Sequence, residues 1–94
     1  MEPKNISVVE IDGRVCDAVT KETITGIHTD AEGNVYRFKD GVLHDEYEPA
    51  AVWANGDCAY YQNGVLHRDF GPALIRHNGQ KLYFDHGHFI KAEG

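Results

Sequence analysis

The sequence predicts an all-β fold: an antiparallel meander of tandem β-hairpins forming one curved sheet, with little or no helix. A period of 23 residues carries most of that prediction, since Gly33, Gly56 and Gly79, and separately Gly41, Gly64 and Gly87, repeat with no slip. Leu43 and Leu66, His44 and His67, Pro49 and Pro72, and the series Phe38, Tyr61 and Phe84 keep the same step. The dipeptides Asp40-Gly41, Asn55-Gly56, Asn63-Gly64 and Asn78-Gly79 are those favoured where a two-residue hairpin demands positive φ at both central positions. Between them the chain is aromatic or β-branched, and no window of about ten residues carries an apolar stripe at helical spacing.

The elements follow in order. Residues 7–11, the turn Asp12-Gly13 and residues 14–19 read as a first hairpin. Its glycine lies 28 residues before Gly41, so about five extra residues are expected, placed at 20–23. The segment TGIHTDAEG (25–33) aligns with EPAAVWANG (48–56) and GPALIRHNG (71–79), which makes residues 1–33 a degenerate first unit. Full units follow at 34–56 and 57–79, and residues 80–94 form a C-terminal half unit. Within them, strands are expected at 35–38, 52–53, 59–61, 74–75 and 82–84. Pro49 and Pro72 fall where pairing starts or breaks, because proline cannot donate to a ladder. Atypical terminal units are expected, since an array must cap its open edges. At 94 residues the whole chain is one small domain.

The unit 57–79 contains Gly64-Val65-Leu66-His67-Arg68-Asp69-Phe70-Gly71-Pro72-Ala73. This stretch resembles the G-x-L-H-R-x-x-G-P-A tandem repeat, a relative of the MORN-type repeats found in phage, large-virus and bacterial proteins. The unit 34–56 keeps Gly41, Leu43, His44, Pro49 and Ala50 but carries Asp45 and Glu48 where the pattern has arginine and glycine. Over residues 25–94 the resemblance implies a β-hairpin array, residence in a mobile genetic element, and a scaffold or interaction surface rather than catalysis.

Composition bounds the function. The net charge is −6, and residues 1–57 hold twelve acids against five bases while residues 58–94 hold three against four. Such a field repels nucleic acid and attracts a basic protein surface. No apolar run is long enough to span a membrane, and the opening MEPKNISVVEIDG has no signal-like stretch, so a cytoplasmic location is expected. Cys16 and Cys58 read as two buried thiols, with a bridge between them as the minor alternative.

Six histidines, His28, His44, His67, His77, His86 and His88, raise metal binding. No zinc-ligand spacing is present. His44 and His67 share one repeat position, which points to a structural bond, for example to a neighbouring turn, and His86 and His88 flank a turn glycine. Ser7 is the sole serine and has no base nearby in sequence, and no phosphate-binding loop is present. The expectation is a non-enzyme with no cofactor and no metal.

The acidic stretch Asp40, Asp45, Glu46 and Glu48 surrounds Tyr47, with Trp53 and Asp57 just beyond. Aromatics supply interface affinity and charge steers the partner, so these seven residues are the candidate partner-binding site. The expected function is a protein-binding module, one concrete form being an anti-CRISPR-type inhibitor of a host nucleic-acid-binding defence complex. The alternative is a self-assembling scaffold, such as a homodimer, closed over Phe38, Tyr61 and Phe84 or over Tyr60 and Tyr83; a metal-binding protein comes third.

Overall fold

In the computed structural model, which describes residues 7–94, every regular element is a β-strand. Part of the opening segment read above for a leader lies outside the described residues. The strands are β1 (Val8–Ile11), β2 (Arg14–Asp17), β3 (Gly26–Thr29), β4 (Val35–Lys39), β5 (Val42–Leu43), β6 (Ala51–Val52), β7 (Cys58–Ala59), β8 (Tyr61–Gln62), β9 (Val65–Leu66), β10 (Leu74–Ile75), β11 (Lys81–Asp85) and β12 (His88–Glu93). The expected all-β antiparallel architecture is therefore present. It is not one continuous sheet: an open sheet ordered β12-β11-β10-β7-β6-β4-β3, with β5 attached to β4, is joined by the separate hairpins β1-β2 and β8-β9.

The two kinds of glycine turn differ. Asp12-Gly13, Asp40-Gly41, Asn63-Gly64 and His86-Gly87 have both residues at positive φ, as a two-residue hairpin requires. Asn55-Gly56 and Asn78-Gly79 do not fit that expectation, because only their glycines have positive φ. There the amide of Gly56 donates to the Trp53 carbonyl and that of Gly79 to the Arg76 carbonyl, both at 2.9 Å. Trp53 N–H bonds the Asp57 carbonyl and Arg76 N–H the Gln80 carbonyl around them. These are three-residue loops with glycine at the bulge. Both three-residue loops join neighbouring strands of the main sheet, β6 to β7 and β10 to β11, whereas the two-residue turns form the tips.

The tips stack on one another, and the stacking explains the Leu-His pair of the repeat. Gly64 N–H donates to the Leu43 carbonyl at 2.9 Å, and Asn63 N–H donates to His44 Nδ1 at 3.0 Å. One unit later Gly87 N–H meets the Leu66 carbonyl at 2.7 Å, and His86 N–H meets His67 Nδ1 at 2.9 Å. At the first junction Gly41 N–H binds the Ile24 carbonyl, and the Thr25 hydroxyl replaces histidine as acceptor for Asp40 N–H at 3.0 Å. Each incoming turn thus has two amides satisfied by two adjacent residues of the unit before. Gly41 has no alternative here, because a Cβ would lie 2.8 Å from Arg14 Cβ and 2.9 Å from the Val15 carbonyl oxygen.

The core is thin. Ala50, Ala51, Ala59 and Ala73 are fully buried and Cys16 and Ile24 nearly so, while no large side chain is completely enclosed. Ala59 pairs with Ala51 on one side and with Leu74 on the other, so small residues sit where strands cross most closely. Phe38, Tyr60, Tyr61, Tyr83 and Phe84 are half-buried around them. Both thiols are free, Cys16 buried and Cys58 half-buried. Just ahead of the extra residues expected at 20–23, a turn at 18–20 has Asp17 Oδ1 accepting the amides of Val19 and Thr20 at 2.7 and 3.0 Å, and Thr23 bridges back to Cys16. At the other end β12 pairs antiparallel along β11, with a register shift between Tyr83 and Phe84.

Candidate functional site

The seven candidate residues fall in three places. Asp40 belongs to a tip, at positive φ, with its carbonyl accepting Arg14 Nη1 at 2.6 Å. Trp53 and Asp57 line an open cleft of about 510 Å³ with Asn34, Leu74 and Arg76. Asp45, Glu46 and Tyr47 line a different cleft of about 280 Å³, facing Tyr60, Arg68 and Phe70 of the next unit. Glu48 is exposed at the end of the same loop.

Several of these carboxylates have structural work. Asp57 Oδ1 accepts the His77 amide at 2.6 Å and faces His77 Nδ1 at 2.9 Å, while Arg76 Nε lies 3.7 Å from Oδ2. Hydrogen bonding to the His77 amide and ring, aided by Asn55 and Arg76, lowers its pKa to about 2. One unit earlier Asn34 Oδ1 accepts the Ala54 amide at 2.8 Å in the same place, so position 57 is a turn-to-turn latch. Trp53 is half-buried beside it, with Tyr36 as a hydrogen-bond partner.

Asp45 is also accounted for by the scaffold. Its Oδ1 accepts the amides of Tyr47 and Glu48 at 2.9 and 2.7 Å, and its Oδ2 lies 3.8 Å from Arg37 Nε. Arg37 Nη1 donates to the Pro49 carbonyl at 3.0 Å. In the next unit the guanidinium at the proline carbonyl comes from the other position: Arg68, aligned with Asp45, donates to the Pro72 carbonyl at 3.2 Å and stacks 3.9 Å from the Tyr60 ring centroid. Tyr60 in turn aligns with Arg37. Arg68 crosses Gly71 so closely that a Cβ there would lie 3.0 Å from Nη1. Gly71 is also at φ 137°, whereas Glu48 is not among the residues at positive φ, so the loop of the earlier unit does not need a glycine there. The scaffold therefore uses Asp45 as a loop cap, whereas the Glu48 side chain is exposed.

Glu46 and Asp69 share a repeat position beside histidine. Glu46 Oε1 lies 3.3 Å from His44 Nε2, and Asp69 Oδ1 lies 2.7 Å from His67 Nε2. With Nδ1 accepting a backbone amide, the ring donates through Nε2–H to the carboxylate. The structural role expected for His44 and His67 is what the geometry shows.

What the scaffold does not use is a pair of aromatics. Tyr47 is 88% exposed and Phe70 93% exposed, at equivalent positions of successive loops. Phe70 and Asp69 were missed as site residues, although adding the period to Tyr47 and Glu46 reaches them. His86, which flanks the tip glycine with His88, groups with His67 and Asp85, with ligand atoms all within 4.8 Å of one another. Among the described residues no helix is long and apolar enough to cross a membrane. Comparison with protein-family models, with curated proteins and with solved structures gave no match.

Proposed function

We propose that this chain is a non-enzymatic protein-binding module whose contact surface is the ridge formed by Tyr47 and Phe70 with the carboxylates Glu46, Glu48 and Asp69 beside them. The carrying observation is the near-complete exposure of two large aromatics one repeat apart, since a monomer gains nothing by leaving both in water. Glu46 and Asp69 remain 63% and 67% exposed despite their histidine partners. That combination suits a basic partner: the rings supply buried area and the carboxylates steer and select. A phage-borne inhibitor that occupies the nucleic-acid groove of a host defence complex is one form this activity takes.

The test is affinity capture from the host cell with the intact protein, with Glu46→Lys/Glu48→Lys and with Tyr47→Ala/Phe70→Ala. Asp45 is left alone because it caps the loop. A partner held by the intact protein and lost with both variants is expected. A partner retained equally by the two variants would overturn the proposal.

A second reading, self-association, draws on β12, an edge strand exposed along all six residues with Phe89 58% and Ile90 59% exposed. Sedimentation decides it: a monomer at micromolar concentration removes it.

A further inference from the structure

The geometry points to a divalent transition-metal site formed by His67 Nδ1, Asp85 and His86, with Zn²⁺ as the representative ion. Asp85 Oδ1 lies 2.6 Å from His86 Nδ1 and 3.4 Å from His67 Nδ1. The two imidazoles are 4.1 Å apart between centroids and inclined by 33°. His67 is only 5% exposed, and its Nε2 is held by Asp69 Oδ1 at 2.7 Å. A carboxylate behind one ring nitrogen fixes the tautomer and leaves the other nitrogen as a lone-pair donor, the outer-shell arrangement that metal-binding histidines use. Here that other nitrogen faces a carboxylate oxygen, and a cation between them relieves the repulsion of the two lone pairs.

The repeat provides an internal control. At the preceding junction His44 has the same acid on Nε2 and the same turn amide on Nδ1. Gln62 and Asn63 stand there in place of Asp85 and His86. Asn63 and His86 adopt the same left-handed backbone, φ 53° and 49°. An amide therefore satisfies the fold at both positions, and the exchange to Asp85 and His86 adds donor atoms that the scaffold does not need. Two imidazole nitrogens and one carboxylate oxygen suit Zn²⁺ or a similar borderline ion, with water completing a tetrahedral shell. Coordination at His67 Nδ1 takes the lone pair now shared with the His86 amide. The tip stays seated through Gly87 N–H on the Leu66 carbonyl, 2.7 Å away.

The experiment is calorimetric titration of the full chain with Zn²⁺, with ¹⁵N spectra of the histidine rings recorded before and after. The comparison variant is Asp85→Gln/His86→Asn, which installs the residues of the preceding junction; its melting temperature without metal should match that of the parent. Saturable binding of one ion is expected, with the Nδ1 signals of His67 and His86 shifting, affinity at least about tenfold weaker in the double variant, and about tenfold weaker in Asp69→Asn. His88→Ala should bind as the parent does. Absence of binding, equal binding by the double variant, or an unmoved His67 Nδ1 signal would overturn the site; the ring spectra of the parent decide this even if the variant folds poorly.

Discussion

At the scale of single residues, His44 and His67 do the same job under different exposure. Each presents Nδ1 to the amide of the next tip, but the His67 bond is partly buried and the His44 bond is exposed. Water replaces a lost exposed partner, so His44→Ala should cost about 1 kcal/mol. His67→Ala strands a partly buried amide and should cost about 1–3 kcal/mol, measured for both by urea unfolding. Equal losses would show that burial does not set the strength of the latch. Asp57 gives a pH signature. Its folded pKa of about 2 lies below the ordinary aspartate value, because hydrogen bonds from His77 favour the carboxylate. Its contribution is therefore complete above about pH 4 and is lost as the pH falls towards 2, since the unfolded chain takes up the proton first. Asp57→Asn should flatten the stability profile between those pH values, as acid titration of unfolding would show; an unchanged slope would assign the acid sensitivity elsewhere.

At the scale of elements, successive units solve one problem in two ways. A guanidinium must reach the carbonyl of Pro49 or Pro72, and it arrives from β4 through Arg37 or from the loop through Arg68. The two solutions are exchangeable as sets of three residues, Arg37, Asp45 and Glu48 for Tyr60, Arg68 and Gly71. Arg37→Tyr leaves the Pro49 carbonyl without its donor, and Asp45→Arg removes a loop cap and sets two arginines together. Each single change should destabilise by about 1–2 kcal/mol. Because Arg68 crosses Gly71 closely, Glu48→Gly is added to both single variants and to their combination; the combined variant then reproduces the Tyr60, Arg68 and Gly71 arrangement, and it should recover part of the loss, seen as a coupling energy in a mutant cycle. Strict additivity would refute the exchange. The pairing was hidden in the sequence because Arg37 and Asp45 each look like an isolated departure until the fold brings them together. The turn glycines were legible, whereas the distinction between two-residue tips and three-residue loops was not, since Asn-Gly serves both.

At the scale of the whole molecule, the array measures 42 × 24 × 21 Å and has little interior to spare. Stability rests on alanines that let strands approach and on repeated amide latches, not on a large apolar centre. Ala59 lies between Ala51 and Leu74 with no exposed surface. Ala59→Leu should cost about 1–3 kcal/mol by overpacking, despite adding hydrophobic surface. A rise in urea midpoint would show unfilled space that the packing does not suggest. The same thinness bears on binding: the clefts described above are open, and Tyr47 and Phe70, at the rim of one of them, are the most exposed aromatics among the described residues.

The sequence by itself determined the all-β class, the tip glycines and the structural standing of His44 and His67, because each follows from local backbone demands repeated at a fixed period. Only the tertiary structure decided which departures from the period matter. Asp45, Asp57 and Glu46 carry charge that a linear reading assigns to a partner, yet each has a neighbour supplied by folding: Arg37, His77 or His44. Tyr47 stood out in the sequence among its acids, whereas Phe70, one period later, read as an ordinary apolar residue of a strand protein. Both are exposed because the folded chain packs nothing over these two loops, and what covers a residue is a property of the assembled fold that local composition does not record.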